Sequence, residues 1–114
     1  MLIQTRSILV EKGYSNQVVE RFSGPTPVVD MPGLIDFSVM VNKKSKEQEE
    51  VLIIIRWESE EAWKNWEKSD AHIKGHREKR NQEKPAYLIS TTVNMYEVQT
   101  VKNGSGSVSG EINA

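Results

Sequence analysis

Residues 34–55 read LIDFSVMVNKKSKEQEEVLIII. From Leu34 to Val41, the residues Ile35, Phe37, Val39 and Val41 alternate with Leu34, Asp36, Ser38 and Met40, which is the two-residue period of a strand. A charged turn over Asn42 to Glu50 follows, and Val51-Leu52-Ile53-Ile54-Ile55 returns as a second strand, so the stretch reads as a β-hairpin. A strand with one wet face should alternate. The returning strand is apolar on both faces, so each side needs a cover. Helices can cover one face, and a second copy of the same chain is expected over the other.

Toward the N-terminus, Leu2 to Val10 mixes β-branched and polar residues and stops at Lys12-Gly13, which reads as another strand. Over Tyr14 to Phe22 the apolar residues Val18, Val19 and Phe22 share one side of a short amphipathic helix. Ser23-Gly24-Pro25 ends it. Pro25, Pro27 and Pro32 then deny the next segment a regular ladder or helix. Toward the C-terminus, Arg56-Trp57-Glu58-Ser59 leads into a helical region in which Ser59 is an N-cap and Glu60 and Glu61 meet the positive end of the helix. Ser69-Asp70 is a second start signal, so two helices are expected over roughly 59–68 and 70–81, bent between them. Pro85 stops the second, and Tyr87 to Val101 is a final strand rich in Tyr, Ile, Val and Thr. Residues 102–114 form a polar Gly/Ser tail with too little apolar surface to fold.

The element order is therefore β-α-β-β-α-β over a single domain, residues 1–101. It predicts the α+β class and a ferredoxin-like arrangement, a four-stranded antiparallel sheet with the helices on one face. A chain of 114 residues supports one core of useful size without staples. It has no cysteine, which excludes a disulfide framework, a thiol nucleophile and a thiolate zinc site, and favours a reducing, cytoplasmic location. MLIQTRSILV carries no basic segment ahead of a long apolar run, and no stretch of about 18 apolar residues occurs, so neither export nor membrane insertion is expected. With 15 basic against 16 acidic residues, no overall field draws in nucleic acid, and no nucleic-acid-binding motif is present.

The chemistry-bearing residues crowd into Arg56–His76, which holds all three tryptophans and both histidines. Trp57 ends a strand and Trp63 lies one turn before Trp66, so two of these indoles read as core anchors. His72 and His76 stand at i and i+4, a spacing that suits a metal, but no glutamate of an HExxH pattern and no thiolate accompanies them. Trp66 and His76 would lie about 15 Å apart on a straight helix. A bend at Ser69 shortens that, and a flat aromatic cofactor fits between an indole that presses on a macrocycle and an imidazole of the type that ligates haem iron. The plainer reading of such a histidine is helix surface. Lys74, Arg77, Lys79, Arg80 and Lys84 against Glu78 and Glu83 make a basic stretch, readable either as a seat for propionates or as a solvated helix face.

The segment WESEEAWKNWEKSDAHIKGH, Trp57 to His76, resembles the signature of the IsdG-type haem-degrading monooxygenases, a branch of the antibiotic-biosynthesis-monooxygenase superfamily. KGY with VVERF (Lys12 to Phe22), MPGLID (Met31 to Asp36) and RWES (Arg56 to Ser59) follow the same order, so the resemblance spans about residues 2–101. It implies a dimeric α+β barrel with one haem per subunit, ligated by His76 and ruffled by Trp66, in a pocket lined by Arg21 and Phe22. It further implies that O2 and electrons from an external donor, a reductase not identifiable from the sequence, open the haem to a linear tetrapyrrole and release its iron. Bending the ring shifts electron density toward the carbon to be attacked. The family's third catalytic residue is an asparagine on the first strand, and Arg6 stands there in this chain. A guanidinium also donates hydrogen bonds, but it is longer and permanently charged. Three readings stay open at Arg6: it replaces the donor, it turns to a propionate or a carboxylate, or catalysis is weak and the protein chiefly binds haem. A cofactor-free monooxygenase of the same superfamily and a purely structural dimeric module are further alternatives.

Overall fold

The computed structural model describes residues 1–80 and 82–106. Four strands, β1 (Leu2–Glu11), β2 (Leu34–Asn42), β3 (Gln48–Trp57) and β4 (Leu88–Glu97), form one sheet in the order β2-β3-β1-β4, with every neighbouring pair antiparallel. Between them run α1 (Ser15–Ser23), α2 (Glu60–Glu67) and α3 (Asp70–Arg80). This is the α+β, ferredoxin-like order expected from the sequence, with the second helical region split as its two start signals require.

The register assigns the faces. Leu2, Arg6, Ile8 and Val10 of β1 stand beside Trp57, Ile53, Val51 and Glu49 of β3, and alternation puts them all on one side of the sheet. Val18, Val19 and Phe22 of α1 pack on Ile8, Val10, Val51 and Ile53 there. A second cluster joins Leu2, Trp57 and Ala62 with Val28, flanked by Trp63 and Trp66. Ser59 caps α2, its hydroxyl accepting from the Ala62 N–H at 3.1 Å. The opposite side carries Ile3, Leu9, Leu52 and Ile54, half-buried, with Met40 and Tyr96 exposed.

Three segments differ from expectation. The charged turn is shorter than Asn42 to Glu50, because β3 already begins at Gln48. Glu49 can sit buried in that strand because its Oε1 accepts from the Gly13 and Ser15 N–H groups at 3.1 Å each, with Lys12 Nζ at 3.7 Å. The proline-rich segment includes a 3-10 turn, Pro27–Asp30, in which Pro27 starts the turn and its missing N–H costs nothing. β4 ends at Glu97 rather than 101, since its partner β1 begins at Leu2 and offers no backbone beyond the Val98 N–H to Met1 carbonyl bond at 3.0 Å. Of the expected tail, residues 102–106 are exposed without regular structure, and 107–114 lie outside the described residues, as does residue 81 at the expected end of α3.

Candidate functional site

α3 buries none of its residues. It stands over the helix-side face of the sheet across a cleft instead of packing on it, as α1 does. The cleft has two lobes. The first, about 620 Å³, lies between Arg6 and Gln4 of β1, Phe22 of α1, Phe37, Ile53 and Ile55 of the hairpin, Trp66 of α2, and His72, His76 and Lys79 of α3. The second, about 590 Å³, shares Arg6, Phe22, His76 and Lys79 and continues past Arg21, Ile8 and Val18 toward Tyr87. Arg6, Phe22, Trp66 and His76 thus line one lobe together, while Arg21 lines only the other.

Ser69 makes the bend. Its N–H and its hydroxyl both donate to the Trp66 carbonyl, at 2.9 and 2.7 Å, which closes α2, and its Oγ accepts from the His72 N–H at 3.2 Å, which opens α3. The change of direction swings α3 so that its His72 and His76 face the same lobe as Trp66. The His72 ring is 5.1 Å from the Trp66 ring and 4.4 Å from the His76 ring, edge-on to both. Its Nε2 lies 2.6 Å from Glu67 Oε2.

Positive charge gathers where the lobes meet. Burial pushes the Arg6 guanidinium down from its ordinary value, with Glu67 opposing, and burial together with Arg6 and Arg21 pushes the Lys79 ammonium down. Among the described residues none of Arg6, Arg21 and Lys79 has an ion-pair partner. The His76 imidazole is also held below its usual range, by partial loss of solvent first, then by His72, Arg6 and Lys79, against the pull of Glu67. Its lone pair is therefore free over a wider pH range than that of a solvated histidine. The cleft can accept a flat apolar body with acidic edges and offer it a nitrogen ligand. No group of three or more His, Cys, Asp or Glu gathers among the described residues.

Lys79 and Glu67 were not singled out by sequence reasoning. Lys79 stands within a basic run, and Glu67 carries no local signal of its own. Nothing in the spacing of either points inward until the Ser69 bend is known. Among the described residues no helix is long and apolar enough to cross a membrane.

Comparison with known proteins is consistent with this geometry. The chain is 48% identical over 105 residues to the heme-degrading monooxygenase HmoA of Bacillus subtilis, a match covering 92% of this chain and 97% of HmoA. Its fold matches a crystal structure described as a putative antibiotic biosynthesis monooxygenase from Bacillus cereus, with a TM-score of 0.79 and 42% identity over 90% of this chain and 97% of that one. At the level of fold alone it also matches the heme-degrader MhuD of Mycobacterium tuberculosis with two hemes bound in its active site, TM-score 0.65 and 21% identity, over 90% of this chain and all 100% of that one. The family model for antibiotic biosynthesis monooxygenases matches residues 1–78. The chain belongs to the antibiotic biosynthesis monooxygenase family.

Proposed function

We propose that the protein is a haem-degrading monooxygenase, an enzyme that takes haem as its substrate and, with O2 and electrons from an external donor, opens it to a linear tetrapyrrole and frees the iron. The observation that carries this reading is the stand-off of α3: a helix with no buried residue holds His76 above an apolar cleft of about 620 Å³ that Trp66 closes at one side. Sites for molecules of drug or cofactor size usually measure about 300–1,000 Å³. The 48% identity to HmoA over 105 residues supports the same reading.

When bound, haem supplies the iron at which O2 reacts, and is itself consumed. His76 holds the iron through a ring nitrogen whose basicity is lowered but whose lone pair is free. Trp66, packed against the second core cluster, would press on the face of the macrocycle. Phe22, Phe37, Ile53 and Ile55 exclude water from the ring. Arg6 and Lys79, cationic and without partners among the described residues, meet the propionates, and Arg21 extends that charge into the second lobe. Two copies pair through the sheet face that carries Leu52 and Ile54, in the cytoplasm.

Arg6 favours a second reading. Its guanidinium stands on the cleft wall where the family resemblance calls for an amide, so a haem-binding protein that does not degrade its ligand is the rival. One absorbance experiment separates them. Hemin added to the protein gives a Soret band, which ascorbate in air bleaches with release of iron chelatable by ferrozine. His76→Ala weakens uptake by more than about tenfold, since even groups that only orient a metal ligand are worth about 10–100-fold. A band that persists under ascorbate in the parent and bleaches in Arg6→Asn establishes the carrier instead. Hemin uptake by His76→Ala equal to the parent's, with the same spectrum, removes His76 as the iron ligand, and a parent that takes up no hemin removes the haem reading altogether.

A further inference from the structure

Histidines that ligate metals usually donate their other ring N–H to a carboxylate or carbonyl, which fixes how the ring is turned. Among the described residues His76 has no such partner. The torsion that rotates an imidazole is soft, so an exposed histidine on a helix with no buried residue would sample many orientations. One neighbour restrains it. His72, one turn earlier, meets the His76 ring edge-on at 4.4 Å and an interplanar angle of 72°, and meets the Trp66 ring at 5.1 Å and 67°.

His72 is itself held firmly. Its side chain is 17% exposed, its Nε2 lies 2.6 Å from Glu67 Oε2, and its backbone N–H donates to Ser69 Oγ at 3.2 Å. Glu67 is the last residue of α2, so this contact crosses the bend between the two helices. We propose that His72, anchored by Glu67 across that bend, is a positioning residue of the haem site, a brace that sets the turn of the His76 ring and the place of the Trp66 indole together. The inference rests on the haem reading above and goes beyond it. The ring that ligates and the ring that distorts are not independently placed but are registered to one another through a third ring and a carboxylate.

The test is a double-mutant cycle read by spectroscopy. His72→Ala, Glu67→Ala and the double variant are loaded with ferric haem, and electron paramagnetic resonance reports how uniformly the imidazole is oriented. The ring-proton NMR signals of His76 report the same in ligand-free protein. The parent gives one narrow paramagnetic signal and one set of His76 ring signals. His72→Ala broadens or splits both and weakens hemin binding by about tenfold. Glu67→Ala does likewise and adds nothing once His72 is gone, because it acts through it. His72→Phe, which keeps a ring against His76 but loses the carboxylate bond, recovers part of the affinity and not the narrow signal. Thermal melts within a few degrees of the parent exclude general unfolding, and where His72→Ala fails to fold, Glu67→Ala and His72→Phe carry the test.

Unchanged signals in His72→Ala, or effects of the two residues that add, overturn the brace. So does a His76→Ala variant that keeps an imidazole-ligated spectrum until His72 is also removed, since His72 is then a ligand itself. A parent that takes up no hemin overturns the haem reading instead, and the ligand-free ring signals then decide the brace by themselves.

Discussion

Glu49 has 4% of its surface exposed, and its surroundings show how a lone carboxylate comes to belong to a core. Two backbone N–H groups at the start of α1 point at it, and α1 has no side-chain cap and no acidic residue of its own in its first turn. A residue from β3 therefore does what an N-cap would do, and it complements the positive end of the helix as well. Hydrogen bonding from Ser15, the main cause, with Gly13 and Lys12 adding to it and burial opposing, holds the Glu49 carboxyl below its ordinary value of 4.5. The unfolded chain then binds this proton more readily than the folded one. The contribution to stability is whole above about pH 4.5 and is lost as pH falls through the lower folded value. Glu49→Gln should melt below the parent at pH 7, and the gap should narrow as melts are taken at successively lower pH through that window. A gap independent of pH would mean that the amide loses shape complementarity only. Sequence patterning assigned Glu49 to a turn because it counted charge. It could not count the N–H groups that a distant helix start would bring to meet it.

At the scale of elements, local punctuation was the better guide. Ser59 and Ser69 are both legible as helix starts and both act so, because a hydroxyl that takes up a free N–H needs only its own next three residues. The Gly33 requirement is different in kind. It has φ +86°, and a Cβ there would come within 2.5 Å of Ala62 Cβ on α2, so the start of β2 and the first turn of α2 touch through a missing side chain. The Glu58 N–H, donating to the Gly33 carbonyl at 2.8 Å, ties the same two elements. Gly33→Ala should destabilise by about 1–2 kcal/mol from the backbone alone, and a domain of this size loses about 4–8 °C of melting temperature per kcal/mol. The same substitution at Gly24, where a Cβ meets nothing and φ is negative, should leave the melt within about 4 °C, as surface changes usually stay within about 0.5 kcal/mol. Equal losses at the two glycines would disprove the close approach.

For the whole molecule, one sheet face carries the helices and the cleft, and the other carries Ile3, Leu9, Leu52, Ile54, Met40 and Tyr96, with no helix among the described residues over them. Apolar side chains left at the surface of one sheet face are what pairing with a second copy would bury. A dimer mass is expected from light scattering at micromolar concentration, and Leu52→Glu with Ile54→Lys should shift it to the monomer while leaving helix content unchanged. A monomeric parent would remove the paired-sheet arrangement from the proposed function. The apolar run Val51 to Ile55 already demanded two covers, and alternation, helix caps and glycine-proline breaks already ordered the elements, because each depends on residues within a few positions of one another. Which side chains share the cleft was decided only by tertiary structure. Arg6, Phe22, Trp66, His76 and Lys79 come from four separate elements, and their meeting depends on the strand order and on the angle at Ser69. Those are consequences of packing between distant segments, which no local period encodes.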